Sequence, residues 1–264
     1  MRSKGRVTLI DDRAVIHPGA RLGEGVSVGP FSVIGDKVSL GDETWVGPHV
    51  VINGPTEIGR RNKIFQFSSL GELPQDKKYR GEETRLVIGD DNVIREYCTF
   101  NRGTVQDRGE TRIGNKNWIM AYVHIAHDCV IGDSTIFANN ASLAGHVTIE
   151  DFAILGGFTL VHQFCVVGSY SFTAMNSVVA KDIPPFLMIA GHPAQPRGLN
   201  LEGLRRHHFD SDAVRALKNA YKVLYRSGYT INEAIDHLAA SAEENAVVQR
   251  LIDFIRRSRR GIVR

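Results

Sequence analysis

The chain has 264 residues, of which 42% are hydrophobic and 23% charged, and a formal net charge of +3. Ordinary apolar content and 26 glycines exclude a disordered chain and a coiled coil. No stretch approaches the roughly 20 apolar residues of a membrane span, and no apolar segment follows the basic start as in a signal peptide.

A six-residue repeat begins close to the N-terminus. A hydrophobic residue leads nearly every hexad over 10–70, 88–100 and 113–179, and Thr173 is the one polar lead. Glycine follows the lead in 12 of 26 hexads, which predicts corners with positive φ or close backbone approach. A period of six fits neither an amphipathic helix nor isolated hairpins, and it is typical of a parallel β-solenoid with a continuous aliphatic core.

Two polar segments, about 72–87 and 102–112, interrupt the repeat and are predicted to protrude as loops. Loops on one side of a solenoid commonly build its binding face. The sequence therefore predicts a β-helical domain over 1–194, carrying both loops, and a small α-helical domain over 195–264.

The second domain has helical periodicity. Three helices are predicted there: one with Val214, Leu217, Tyr221 and Leu224 on one face and Gly228 as its stop; one opened by the capping-box pair Thr230 and Glu233; and one over Val247–Ile255. This region has 13 Lys and Arg against 8 Asp and Glu. The excess is typical of a solvated helical face, or of a surface for an acidic protein or nucleic acid.

Cys98, Cys129 and Cys165 each lie four residues after a hexad lead, where other small residues also occur, and are predicted to fill the core. Cys129 and Cys165 would lie two coils apart, about 10 Å, which is too far for a disulfide. An odd, low number of cysteines indicates a reducing cytoplasm.

Four histidines of the solenoid are candidates for chemistry: His124, His127, His146 and His162. None leads a hexad, so all can point outward, and the separation of His127 from His146 is close to one coil, or about 5 Å. Three interpretations remain open at this point: surface histidines, a zinc site shared between subunits, and acid–base catalysis. No nucleophile elbow, Walker loop or well-placed dinucleotide fingerprint accompanies them.

Four motifs follow in order: HIAHDC (124–129), AGHV (144–147), HQFC (162–165) and NLEGLRR (200–206). Together they resemble the UDP-N-acetylglucosamine O-acyltransferase family, nearly from end to end of the chain. The resemblance implies a left-handed parallel β-helix of hexapeptide repeats with a helical C-terminal domain. It also implies transfer of an (R)-3-hydroxyacyl group from acyl carrier protein to the 3-hydroxyl of UDP-N-acetylglucosamine, the first step of lipid A biosynthesis.

The same resemblance implies roles for individual residues. His127 would remove the hydroxyl proton, Asp128 would assist or orient it, and the Gly145 N–H would donate to the oxyanion. In a regular strand, however, adjacent side chains point to opposite faces. No metal or other cofactor is expected, because the thioester on the carrier protein is already activated.

Implied binding residues come from both domains. Substrate-binding roles in the sugar and phosphopantetheine cleft are expected for Asp76, Lys78, His124, His146, His162 and Gln163, and uridine diphosphate binding for Asn200, Glu202 and Arg206. The implied assembly is a homotrimer with its clefts between subunits, partnered by the acidic carrier protein rather than by nucleic acid. Met175 replaces the glycine of some relatives at the end of the acyl groove, which predicts a shorter donor, 3-hydroxydecanoyl rather than 3-hydroxymyristoyl.

Other functions fit the repeat alone. They are the related N-acyltransferase of the pathway or a coenzyme A-dependent hexapeptide acyltransferase, a metal-dependent solenoid resembling carbonic anhydrase, and a non-catalytic scaffold. The N-acyltransferase usually carries a uridine-binding domain before its helix, and a repeat that begins by residue 10 leaves no room for one.

Overall fold

The computed structural model describes residues 9–264, without the side chains of Ser241 and Glu244. The basic start and the first residues of the predicted β-helical domain, 1–8, lie outside the described part. The strands before the first loop are β1 (Leu9–Ile10), β2 (Val15–Ile16), β3 (Arg21–Leu22), β4 (Ser27–Val28), β5 (Val33–Ile34), β6 (Val38–Leu40), β7 (Trp45–Val46), β8 (Val51–Ile52), β9 (Thr56–Ile58), β10 (Lys63–Ile64) and β11 (Ser69–Glu72).

The remaining elements complete the solenoid and the helical region. The strands are β12 (Arg85–Ile88), β13 (Val93–Ile94), β14 (Thr99–Asn101), β15 (Glu110–Ile113), β16 (Trp118–Ile119), β17 (His124–Ile125), β18 (Val130–Ile131), β19 (Ile136–Phe137), β20 (Ser142–Leu143), β21 (Thr148–Ile149), β22 (Ile154–Leu155), β23 (Leu160–Val161), β24 (Val166–Val167), β25 (Phe172–Thr173), β26 (Val178–Val179), β27 (Leu187–Ala190) and β28 (Gln195–Leu199). The helices are α1 (Leu201–Arg206), α2 (Ser211–Arg226), α3 (Ile231–Glu244) and α4 (Ala246–Arg257).

The strands stack into three sheets that wrap around one core. Through β26, each strand takes its place in its sheet three strands after the previous member, in parallel, so three strands make one coil. Sheet I contains β1, β4, β7 and so on to β25, then β27 and β28; sheet II runs from β2 to β26, and sheet III from β3 to β24. The predicted left-handed parallel β-helix is confirmed.

The hexad leads form the core as predicted. In the typical two-residue strand the second residue is the lead, and it is fully buried from Ile34 through Ile64 to Leu155. Because the lead faces inward once per strand, the core is a column of stacked aliphatic side chains. Each fully buried one contributes about 1.5–3 kcal/mol before conformational entropy is subtracted.

Glycine and positive φ occupy different places in the hexad. Positive φ recurs three residues after the lead, mostly on residues other than glycine, such as Asp128, His146 and Phe164. The glycine that follows a lead instead permits close approach between coils: a β-carbon on Gly41 would lie 2.6 Å from the carbonyl carbon of Gly59. Of the two predicted reasons for glycine, close approach is therefore the general one.

Both loops leave the solenoid between sheet II and sheet III. Residues 73–84 form the first loop and residues 102–109 the second, so the predicted ranges were too long at their C-terminal ends. Residues 85–88 and 110–113 are instead paired strands, with Leu86 and Ile88 buried and the charged residues outward. Arg85 and Glu110, 2.8 Å apart, form one of their cross-strand ion pairs.

The three predicted helices are present as α2, α3 and α4, and the capping box of Thr230 and Glu233 opens α3. Residues 195–199, which the sequence placed in the helical domain, form β28, antiparallel to β27, because this segment extends sheet I before the helices begin. None of the described helices is long and apolar enough to cross a membrane. The cysteines are free and buried, as predicted, and burial raises the pKa of Cys98 and Cys129 to about 12.

Candidate active site

One edge of the prism, where sheet II turns into sheet III, carries most of the candidate chemistry. We call it the II–III edge. Its corners include 126–129, 144–147 and 162–165, and both loops leave the solenoid there. Three of the four motifs therefore stack on consecutive coils of the same edge, because the coil length of 18 residues brings each corner under the next.

His127 and Asp128 lie side by side at this edge. The Nδ1 atom of His127 is 2.8 Å from Oδ2 of Asp128. The two residues occupy a corner after β17, where Asp128 has a φ of 59°, so the alternation of a regular strand does not apply to them. Adjacent residues can consequently share a face, and the histidine is left with Nε2 for a ligand.

Asp128 is a buried carboxylate whose oxygens are occupied. The Thr104 N–H donates to Oδ1 at 2.9 Å, and the Thr104 hydroxyl donates to Oδ2 at 2.7 Å. Burial alone would raise the pKa of Asp128, but the hydrogen bonds from His127 and Thr104 outweigh it and hold this pKa below its ordinary value. The carboxylate is thus charged and fixed, as the partner of a general base must be.

Gly145 lies against the His127 ring. A β-carbon at residue 145 would be 2.6 Å from Cε1 and 2.8 Å from Nε2 of His127. The Gly145 N–H has no backbone acceptor among the described residues. A glycine whose N–H has no backbone acceptor among the described residues thus lies against the ring that carries Nε2 of His127.

His146 is held on three sides. Its Nδ1 is 2.9 Å from Oδ2 of Asp107, in the second loop. Its ring stacks on Phe164 with centroids 4.4 Å apart and meets His127 edge-on at 5.0 Å, the spacing that the sequence predicted. Thr104 and Asp107 were not among the predicted site residues, because nothing in a polar loop sequence indicates which coil it folds against.

A metal ion could be held by His127, Asp128 and His146, whose ligating atoms lie within 4.8 Å of one another. The oxygens of Asp128 already accept hydrogen bonds from Thr104 and His127, and Nδ1 of His146 already pairs with Asp107. A metal would have to displace these partners, so the residues fit a hydrogen-bonded site better than a metal centre.

His124 points outward from β17 on sheet II, where its Nδ1 is 2.7 Å from the Thr99 hydroxyl. Burial lowers the pKa of His124. It lines a shallow groove of about 340 Å³ whose walls are otherwise largely apolar, including Leu160 and Val178. His162 lines the same groove.

The other predicted binding residues of the β-helix lie at the II–III edge, in the first loop and at the edge between sheets I and II. His162 and the exposed Gln163 lie at the II–III edge, and Arg260 from the C-terminal segment reaches Nδ1 of His162 at 3.2 Å. Asp76 and Lys78 belong to the first loop, where the Asp76 carboxylate accepts the Lys78 N–H at 2.9 Å. Met175, 73% exposed, lies across sheet II at the edge between sheets I and II.

The uridine-diphosphate residues lie at the third edge, between sheets III and I. Asn200 caps α1 by accepting the Gly203 N–H, and its amide donates to the Tyr170 carbonyl at 2.9 Å. Glu202 accepts hydrogen bonds from Arg205 and Arg206, which lower its pKa to about 2. Within one chain the structure does not bring these residues to His127.

Two protein-family profiles match parts of this chain and define its class. A family profile described as bacterial transferase hexapeptide matches residues 110–145, and one described as UDP-N-acetylglucosamine O-acyltransferase, domain 2, matches residues 182–263. The β-helix with its histidine edge is therefore that of a hexapeptide-repeat acyltransferase.

Similarity over the full chain is more specific. A protein of Thiobacillus denitrificans named acyl-(acyl-carrier-protein)–UDP-N-acetylglucosamine O-acyltransferase is 64% identical over 97% of this chain and 99% of its own. The UDP-N-acetylglucosamine acyltransferase structure of Francisella novicida has a TM-score of 0.95 at 43% identity, covering 97% of this chain and 94% of its own. That of Moraxella catarrhalis has a TM-score of 0.94 at 46% identity, covering 97% and 99%. The chain belongs to the acyl-(acyl-carrier-protein)–UDP-N-acetylglucosamine O-acyltransferase family.

Proposed function

We propose that the protein transfers an (R)-3-hydroxyacyl group from acyl carrier protein to the 3-hydroxyl of UDP-N-acetylglucosamine, the first step of lipid A biosynthesis. Relatives carrying this name share 54–64% of their residues with this chain over nearly its full length. The observation that carries the chemistry is the His127–Asp128 pair at 2.8 Å, beside the free Gly145 N–H.

His127, Asp128 and Gly145 each have one role in the proposed reaction. Nε2 of His127 takes the sugar hydroxyl proton while the oxygen attacks the thioester carbonyl carbon, and charged Asp128 stabilises the imidazolium that forms. The carbonyl oxygen becomes an oxyanion that accepts the Gly145 N–H, an interaction of about 3 kcal/mol in comparable sites. Collapse expels the phosphopantetheine thiolate, which recovers the proton from His127. No resident metal or cofactor takes part in this sequence.

The cleft of the proposed enzyme is shared between subunits of a homotrimer. His127 and Arg206 lie at different edges of one chain, which supports a cleft whose uridine-diphosphate residues Asn200, Glu202 and Arg206 come from a neighbouring copy. The sugar and donor residues would come from the first loop, the II–III edge and the groove of sheet II, and the basic C-terminal region would meet the acidic carrier protein. Three free thiols support a cytoplasmic location.

The test mixes the purified protein with UDP-N-acetylglucosamine and 3-hydroxyacyl carrier proteins of several lengths, and mass spectrometry detects the acylated sugar nucleotide. We expect product that is lost in His127→Ala and is unchanged after treatment with a chelator. Product with the intact protein that survives in His127→Ala would overturn the role of the base, and absence of product with every donor would overturn the function.

Met175 would set the donor length in this proposal, because it lies across sheet II from the II–III edge and its exposed thioether could limit the acyl chain there. The same donor series on Met175→Gly should move the preference from ten carbons toward longer chains. An unchanged preference would contradict it.

Mixing two inactive variants tests whether the cleft is shared between subunits. Each of His127→Ala and Arg206→Ala should be nearly inactive alone. Mixed trimers refolded from the two variants should regain part of the wild-type rate, because some clefts would receive both intact residues. No recovery from mixed trimers would contradict a cleft shared in this way.

A further inference from the structure

The second loop contributes a carboxylate to the site that is separate from the His127–Asp128 pair. Asp107 Oδ2 is 2.9 Å from Nδ1 of His146, and both side chains are partly shielded, with 37% and 14% of their surfaces exposed. We propose that Asp107 is a positioning residue that keeps His146 on its own carboxylate. This inference rests on the proposed function, because its consequence is for the base His127.

The Asp128 carboxylate lies near both imidazoles. Oδ2 of Asp128 is 2.8 Å from Nδ1 of His127. The same oxygen is 3.9 Å from Nδ1 of His146, so after Asp107 it is the nearest carboxylate oxygen to that nitrogen among the described residues. A His146 ring without Asp107 would need to move by only about an ångström to compete for the same oxygen. Asp107 prevents this competition by giving the second imidazole a nearer acceptor.

The second loop positions the carboxylates of Asp107 and Asp128 at the same time. The carbonyl of Thr104 accepts the N–H groups of Asp107 at 3.3 Å and Gly109 at 2.9 Å, which closes a turn. The same residue donates its own N–H and hydroxyl to Asp128. Thr104 therefore fixes the Asp128 carboxylate directly and presents Asp107 to His146 through the turn.

The orientation of His146 follows from these contacts. With Nδ1 on Asp107 and one face on Phe164, its only remaining polar atom is Nε2. The imidazoles of His127 and His146 thus both use Nδ1 for a carboxylate and keep Nε2 for a ligand. In each ring, the partner of one nitrogen determines which nitrogen carries the proton. The site consequently has two separate His–Asp pairs rather than two histidines on one carboxylate.

The test compares Asp107→Ala, Asp107→Asn and Val105→Ala in the intact protein. Val105 is an exposed residue of the same loop, 50% accessible, and is the matched control. The imidazole ¹⁵N and ¹H signals are assigned through single histidine variants. In Asp107→Ala we expect the signals of both His146 and His127 to shift and kcat to fall about tenfold, with the melting temperature preserved. Asp107→Asn keeps an oxygen acceptor and should lose less than threefold in kcat, and Val105→Ala should match the wild type.

Unchanged signals of His127 and His146 in Asp107→Ala would overturn the inference, and so would shifted signals with an unchanged kcat. The spectra do not depend on turnover. If the wild type makes no acylated sugar nucleotide, the proposed function fails, while the signals still decide whether Asp107 holds His146 apart from Asp128.

Discussion

Residue 145 has no side chain, and the imidazole of His127 occupies the space beside it that a β-carbon would need. Neighbouring Asp128 has a positive φ, which lets two adjacent side chains meet at one corner. At the scale of single residues, the candidate site thus depends on two backbone properties: the absence of a β-carbon and a left-handed conformation.

Gly145→Ala tests the first property. The added methyl group would lie 2.6 Å from Cε1 of His127, so the ring must turn away from Asp128. We expect kcat to fall by about a hundredfold, or ~2.7 kcal/mol of transition-state stabilisation. Because a side chain rather than the backbone moves, the urea midpoint should change little. A variant with wild-type kcat would contradict the close approach.

His124 predicts a pH dependence of stability. Burial lowers its pKa in the folded protein below the ordinary 6.5, so the unfolded chain binds the proton more readily. Stability from this group is therefore present above pH 6.5 and is lost as the pH falls from there toward the lowered pKa. Urea unfolding between pH 7.5 and 5 should show a shallower loss in His124→Asn than in the wild type. Exposed Val15, which does not titrate, is the control as Val15→Ala and should leave the slope unchanged.

Among whole elements, a ladder of buried asparagines joins successive coils. The Asn92 side chain is fully buried, accepts the Asn117 N–H at 2.9 Å, and donates to Oδ1 of Asn62 and to the Gly114 carbonyl, both at 3.0 Å. Longer coils interrupt the count of 18 residues along this ladder, yet the asparagines stay in register. The polar ladder therefore specifies which coil stacks on which, in addition to the aliphatic column.

Asn92→Ala tests the ladder. It leaves the Asn117 N–H and the Gly114 carbonyl without their partner in a dry interior, at a cost of about 2–4 kcal/mol in the free energy of unfolding. Urea titration followed by circular dichroism measures this. Lys63→Ala, an exposed change on a neighbouring strand, is the control and should stay within about 0.5 kcal/mol. Equal effects of the two changes would show that the ladder does not contribute to the free energy of unfolding.

Some elements could be predicted from the sequence and others could not. The hexad period predicted the coils, since one lead such as Ile34 faces inward per strand, and helical spacing with a capping box predicted α3. Residues 85–87 of strand β12 were assigned to a loop, because they follow a polar, turn-rich segment and their partners in β9 and β15 lie far away in the sequence. For the same reason no local pattern indicated that Asp107 would reach His146, 39 residues further along the chain.

On the scale of the whole molecule, the C-terminal segment ties the helical region to the solenoid. Asp182 is 1% exposed, and its carboxylate accepts the Val166 N–H at 2.8 Å and the Ser258 hydroxyl at 2.6 Å. Val263, 3% exposed, packs into the core cluster of the β-helix. The two regions therefore share part of their stability.

Asp182→Ala should loosen this connection. Two donors lose their buried acceptor, so we expect the free energy of unfolding to fall by about 2–4 kcal/mol. Hydrogen exchange should speed up mainly over 254–264. Ser258→Ala removes one of the two bonds and should have a smaller effect, and the double variant should cost less than the sum of both. Exchange that is unchanged over 254–264 would contradict the connection.

The two loops lengthen their coils without disturbing the stack. Corresponding residues are 18 apart in an ordinary coil but 30 apart across the first loop and 25 apart across the second. All the additional chain is extruded at one corner, so no strand loses its neighbours. A change of length within these loops would therefore alter the face at this corner while the strands of the coils above and below keep their partners.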